Sequence, residues 1–263
     1  MSFVILLAPS EEKLSSTKVI SLEDLEVEEI FGFLKELYLG ERLFSYRLGV
    51  YKEFLDDVRE CIFKQDLKLL KKLTGKSSFS DSAMEELVSS LNLHLEKAVC
   101  RYKGVAFKAL DYKSLPIDSK QYIDANVLIF SNLFGVVRAS DNLPYYKLIQ
   151  NASLLKKIYK PYLDTMLKEG LECEFVIDLR ASIYRGLFTP KGLLVSFNFY
   201  KDSKPVSHYS KHFRGLLLRL LSLEKITSLS SLDKFLESLD SKICFLSKES
   251  MKDEIIYNFE VRP

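Results

Sequence analysis

The sequence is short of the residues that most enzyme chemistry relies on. Its 263 residues include three histidines and four cysteines. Cys61, Cys100, Cys173 and Cys244 lie far apart with no C-x-x-C spacing. That argues against a disulfide framework or a zinc site and for reduced thiols. His208 and His212 stand four apart, as metal ligands on one helix face can, but no third ligand follows at a recognisable spacing. No cofactor is expected. Phosphate-loop, dinucleotide-binding, nucleophile-elbow and zinc-protease motifs are all missing. So is any run of eighteen apolar residues, and the start MSFVILLAPSEEK has no basic leader region. The expectation is a cytoplasmic protein with no membrane partner. No repeat and no Pro/Gly-rich linker divides the chain, so one domain over 1–263 is expected.

What is present is a globular composition, 47% hydrophobic and 28% charged, with uneven charge. The net charge of +2 combines −5 over residues 1–99 with +7 over 100–263. A polyanionic partner would meet the second part.

Apolar patterning predicts strands at 3–8, 125–130, 173–179, 193–199 and 254–261. Helical spacing predicts helices over 21–38, 42–63, 65–73, 83–99, 154–170 and 213–223, with Ser21 opening the first and Asp81 or Ser82 capping the fourth. The polar stretch 72–83 reads as a loop. Strands alternating with helices point to an α/β fold with a mixed sheet and packed helices.

Polar residues cluster where strands end. APSEEK follows the first strand, SNLFGVVR follows ANVLIF, and DLRAS closes CEFVIDL. In open α/β sheets ligands bind beyond the carboxyl ends of strands, so Ser10, Glu11, Arg138, Asp178 and Arg180 are candidates for one rim. A second reading stands beside it, in which Asp178 and Arg180 form a structural ion pair. Residues 201–219, KDSKPVSHYSKHFRGLLLR, hold five Lys/Arg against Asp202, with Tyr209 and Phe213 interleaved. Cations at this density near a helix start suit phosphate contacts, or else form the solvated face of an amphipathic helix.

Together these blocks resemble the YaaA family of bacterial peroxide stress proteins. SNLFGVVRASDNLPYYKL is similar to its S-G-L-Y-G-x-L-R-P-x-D-x-x-x-P-Y-R-L signature, matching at Ser131, Leu133, Gly135, Arg138, Asp141, Tyr146 and Leu148. Phe134 and Lys147 stand for Tyr and Arg, Asn132 for Gly and Ala139 for Pro. LLAPSEEK, RYKGVAFKALDY, DLRASIY and SHYSKHFRGLLLR resemble further family blocks in the same order.

The resemblance implies a cytoplasmic protein that limits iron-dependent peroxide damage. It also implies binding to double-stranded DNA with weak sequence preference, through a helix-hairpin-helix-like element matched by the turn at Gly135. The expected phosphate-binding residues are then Lys103, Lys108, Gly135, Arg138, Lys147, Lys201, Lys204, Lys211, Arg214 and Arg219. The alternative is an enzyme acting on a phosphorylated or carboxylated small molecule at the strand-end rim. Its candidate residues are Glu11, Asp178, Arg180 and Ser182, with Ser10, Ser207 and Lys211 nearby in the blocks.

Overall fold

The computed structural model describes residues 3–15, 18–149, 158–160, 162–163, 165, 173–186, 188, 190–206 and 209–262. Contacts group the chain into two compact units, each discontinuous in sequence. The first comprises Met1–Ala8, Val105–Leu128 and Ile158–Pro263; the second comprises Pro9–Gly104 and Ile129–Lys157.

The first unit is built on a mixed sheet. Strands β1 (Phe3–Leu7), β6 (Phe175–Leu179), β7 (Leu193–Lys201) and β10 (Glu254–Val261) lie side by side and parallel. β9 (Ile243–Ser250) closes one edge antiparallel to β10, and the short β8 (Lys204–Pro205) folds back on β7. β1 and β6 are buried along their whole length, which is why both read as continuous apolar runs rather than alternating ones. Phe3 stacks on Phe175 at 5.4 Å and Phe197 on Tyr257 at 6.1 Å, joining neighbouring strands by their rings.

Helices α6 (Val105–Leu110), α7 (Ile117–Asn126), α8 (Ser182–Arg185), α9 (Ser210–Glu224) and α10 (Leu229–Glu237) belong to this unit. α9 packs on α6 at very short range. A Cβ on Gly215 would lie 1.9 Å from the Ala106 carbonyl oxygen, so only glycine permits this crossing. Arg219, one turn further on, donates to the carbonyls of Leu110 at 2.9 Å and Asp111 at 3.0 Å, satisfying the end of α6.

Helices dominate the second unit: α1 (Val27–Glu36), α2 (Gly40–Lys64), α3 (Leu67–Thr74), α4 (Asp81–Ser89) and α5 (Ala98–Arg101). The short strands β2 (Glu96–Lys97) and β5 (Asn142–Leu143) pair with each other. β3 (Val127–Ser131) starts in the first unit and ends in the second, where β4 (Gly135–Arg138) lies next to it. An aromatic cluster of Phe33, Tyr51, Phe54, Phe134 and Tyr146, with edge-on contacts of 5.4–6.4 Å, forms much of this unit's core.

The mixed α/β class expected from the sequence is the observed one, and strands at 3–8, 173–179, 193–199 and 254–261 fall where patterning put them. Four local expectations are corrected. The helix expected to reach residue 99 stops at Ser89, because the Asn92 side chain binds backbone outside the helix: its Oδ1 accepts from Ile20 N and His94 N, and its amide donates to the Lys18 carbonyl. That helix is capped by Ser80, whose hydroxyl accepts from Ala83 N, not by Asp81 or Ser82. The strand expected from residue 125 begins at Val127, with Asn126 held in α7 by its amide bond to the Tyr122 carbonyl. The corner at Gly135 joins two strands, not two helices, so no helix-hairpin-helix forms there. The predicted helix over 154–170 falls mostly outside the described residues.

Candidate functional site

The signature stretch 131–148 serves the inside of the second unit. The Ser131 hydroxyl accepts from Leu133 N at 3.3 Å and Phe134 N at 3.1 Å, so these turn amides are directed to a side chain. Gly135 adopts φ +70°, the left-handed conformation that glycine takes without strain, and is buried. Buried Arg47 on α2 grips the corner from within, donating to the carbonyls of Phe134 at 2.9 Å and Val136 at 2.7 Å. Asp141 accepts from Tyr38 N at 2.7 Å and Arg138 N at 2.9 Å. Burial pushes its carboxyl up from the ordinary range, and these two amides oppose the shift. Arg138 itself is exposed, with its guanidinium 4.8 Å over the Tyr38 ring.

Lys147 is buried, 8% exposed, with its ammonium 3.4 Å from Glu11 and 3.5 Å from Glu86. Beside this group lies Lys13, which sequence reasoning passed over. It is also 8% exposed, donates to the Glu11 carbonyl at 3.2 Å and sits 4.0 Å over the Tyr146 ring. The hydroxyls of Tyr102, Tyr146 and Ser131 form a chain at 2.8 and 2.9 Å. Burial, reinforced by the Lys147 charge, lowers the Lys13 ammonium to about 7. Its position in P-S-E-E-K, directly after a buried strand, was the available signal. Lys103 is exposed and faces Glu12 at 3.7 Å.

In the first unit a second cluster forms at the carboxyl end of β6. Asp178, the penultimate residue of that strand, is 1% exposed. Arg180 grips it from two sides, Nε to Oδ1 at 2.9 Å and a terminal nitrogen to Oδ2 at 3.0 Å, and it also donates to the carbonyls of Tyr184 and Phe188. This is the structural ion pair of the second reading: both charges are buried and matched. Ser182 starts α8, and Ser207 lies outside the described residues.

Two further arginines approach the pair. Arg185 of α8 lies 3.8 Å from Asp178 and 3.9 Å from Glu254, both longer than a hydrogen bond. Arg214 comes from the first turns of α9. The Nε atoms of Arg185 and Arg214 are both buried without a hydrogen-bond partner. Burial first, then the charge of Arg185, holds the Arg214 guanidinium below its ordinary value, while Asp178 opposes this.

Arg214 lines a cavity of about 390 Å³ with Lys211, Ser210 and Asn198 on its polar side and Phe197, Phe199 and Val206 among its apolar walls. The cavity lies towards the carboxyl end of β7, and neither Asp178 nor Arg180 lines it. Arg185 was missed because a four-residue helix gives no periodic signal.

The remaining predicted cations divide by exposure. Lys108, Lys201, Lys204 and Lys211 are exposed, whereas Arg219 is committed to the end of α6. Lys201 and Lys204 flank the two-residue turn Asp202–Ser203, whose φ values of 51° and 62° fit a tight hairpin. Among the described residues no three His, Cys, Asp or Glu converge as metal ligands. None of the four cysteines is in a disulfide. No helix of the described residues is long and apolar enough to cross a membrane.

Fold and site thus define a mixed α/β protein with a cationic cavity at its strand ends. The family model of the peroxide stress protein YaaA matches residues 4–241, and the chain belongs to that family. The Campylobacter jejuni protein Cj0984 is 33% identical over 224 residues, 83% of this chain and 88% of that protein. A UPF0246 protein of Corynebacterium glutamicum is 34% identical over 139 residues, 49% of this chain and 55% of its own length. Another, from Fusobacterium nucleatum, is 25% identical over 201 residues, 66% of this chain and 80% of its own.

Proposed function

We propose that this peroxide stress protein binds double-stranded DNA through backbone phosphates, with weak sequence preference, and so helps to limit iron-dependent damage to it. The observation that carries the reading is the cationic edge of the first unit. Lys201 and Lys204 on the β7–β8 hairpin and Lys211 at the start of α9 all expose their side chains. Tyr209, 70% exposed, lies between them in sequence. Exposed lysines suit phosphates because each neutralised phosphate releases a counterion, and an exposed ring adds a stacking surface. In the second unit Lys103 and Arg138 are exposed cations of the same kind, whereas Gly135 and Lys147 face inward and are left out of the proposed contact set.

Fluorescence anisotropy with labelled duplexes of unrelated sequence, over a series of salt concentrations, tests this. The double substitution K201Q/K204Q should weaken binding equally for each duplex. It should also make the dependence of log affinity on log salt shallower by roughly two units, about 0.9 for each lost contact. An unchanged affinity and slope would remove this edge from the interface. Peroxide survival of cells carrying the double variant, with and without an iron chelator, then tests the link to iron. Equal survival of variant and wild type without chelator would break it.

A further inference from the structure

We propose that the cavity between the end of β7 and the start of α9 is a binding site for a phosphate monoester dianion, held by Arg214 and Lys211 with Arg185 behind them. The site shares Lys211 with the exposed DNA edge but not its hairpin lysines, and it takes a different charge, since a backbone diester carries one charge per phosphate and a terminal or free monoester carries close to two.

The first argument is charge balance. Asp178 is matched by Arg180 through two short bonds. Glu254 takes a 2.5 Å hydrogen bond from the Ser196 hydroxyl and reaches Arg185 at 3.9 Å. Once Asp178 is assigned to Arg180 and Glu254 to Arg185, Arg214 and Lys211 remain, and the cavity lining contains no carboxylate. Lys211 is exposed, but Arg214 is half-buried with its Nε fully buried, and withdrawing part of a guanidinium from water without an anion costs free energy, so the arrangement suits a site that is completed by a ligand.

The second argument is geometric. Arg214 lines the cavity and its Nε is buried without a partner; Arg185, close enough to act on it by charge, does not line the cavity but has an Nε in the same condition. Arginine presents its donors in a fixed fork that matches phosphate oxygens. The cavity also meets the first turn of α9, a fifteen-residue helix whose positive dipole end favours an anion.

The third argument is the shape of the lining. A site for a bare ion would be small and polar. This one has about 390 Å³ and a lining that includes Phe197, Phe199 and Val206 as well as the cations. That volume lies within the range of small-molecule sites and leaves room for an organic group attached to the phosphate. The same chemistry could come from a free phosphorylated metabolite or from a phosphorylated end of a nucleic acid strand.

Isothermal titration calorimetry on the full chain tests the proposal with two probes, inorganic phosphate and the monoanionic diester dimethyl phosphate. Phosphate should bind with one-to-one stoichiometry and dimethyl phosphate at least tenfold more weakly. R214Q should lower phosphate affinity at least tenfold, and R185Q several-fold, with circular dichroism confirming that each is folded. K201Q/K204Q should leave phosphate affinity within about twofold, which separates this site from the DNA edge. Competition by duplexes with 5′-phosphate or 5′-hydroxyl ends distinguishes the two sources: a preference for phosphorylated ends assigns the site to nucleic acid termini, and equal competition to free monoesters. Failure of phosphate to bind, equal binding of the diester, or full affinity in folded R214Q or R185Q would each overturn the proposal, whatever the outcome of the DNA experiments.

Discussion

In the second unit, Arg101 gives its guanidinium to three carbonyls, those of Leu14 at 2.5 Å, His94 at 2.8 Å and Leu143 at 3.2 Å. Lys147 lies between two glutamates. In the first unit Arg180 is matched with equal care by Asp178, yet Arg214, beside it, is not. Buried cations therefore do two kinds of work in one chain. Some tie distant backbone segments together, and their partners are all protein. Others leave a donor unanswered beside a cavity. Burial or basicity alone does not separate the two; the tally of partners does.

The sharpest way to break this comparison is to remove one arginine from each class within the same unit. Arg180→Leu leaves Asp178 as a buried carboxylate whose closest remaining cation is 3.8 Å away. Removing one partner of a buried pair costs about 3–5 kcal/mol, and the urea midpoint should fall accordingly. Arg214→Leu removes a cation whose buried Nε has no partner, so stability should stay within about 1 kcal/mol of wild type or rise. If both variants lost equal stability, Arg214 would belong with the structural class.

Arg101→Leu should stand next in size. It leaves three carbonyls in or near the core without their donor, a loss of about 3 kcal/mol on the usual penalty for unsatisfied buried groups. Arg101→Lys should recover little of it, because one ammonium cannot reproduce the planar fork that spans three acceptors.

The same contrast sets what could be read before the fold was known. Strands β1 and β6 were legible because buried parallel strands give near-continuous apolar runs, and β7 and β10 because they are rich in β-branched and aromatic residues. Lys211 and Arg214 were legible as a charge cluster near a helix start, and Asp178 and Arg180 as a strand-end pair with two open readings. Partners distant in sequence were not legible. Glu11 and Lys147 meet across 136 residues, and nothing local announces it. Nor does local sequence show that polar side chains of the signature stretch turn inward: Ser131 and Asp141 hold turn amides. The end of α4 was misplaced because Leu87, Leu91 and Leu95 stand four apart as on a helix face, while one amide side chain, that of Asn92, takes the backbone elsewhere.

Lys13 sharpens the comparison at its finest scale, because it belongs to the matched class yet has a basicity that burial has eroded. In the unfolded chain its ammonium titrates near 10.5; in the fold it does so at about 7. Between those values the unfolded chain carries a proton that the folded chain has released, so this residue makes stability rise with pH across that window. Below about 7 both states hold the proton and the dependence vanishes. The slope approaches about 1.4 kcal/mol per pH unit for one proton. Lys13→Met removes the titrating group together with its contacts to the Glu11 carbonyl and the Tyr146 ring, and those contacts add an offset that varies little with pH. Subtracting the two stability curves between pH 7.5 and 9.5 cancels most of the contribution of the buried tyrosines and cysteines that both proteins share. The stability of the variant relative to wild type should fall steadily as pH rises through that range. The charges facing the amine, from Lys147, Glu11, Glu86 and Arg101, are present in both proteins, so their own titration adds little to the difference. A flat difference curve would mean that Lys13 keeps its proton throughout and that the glutamates beside it outweigh its burial.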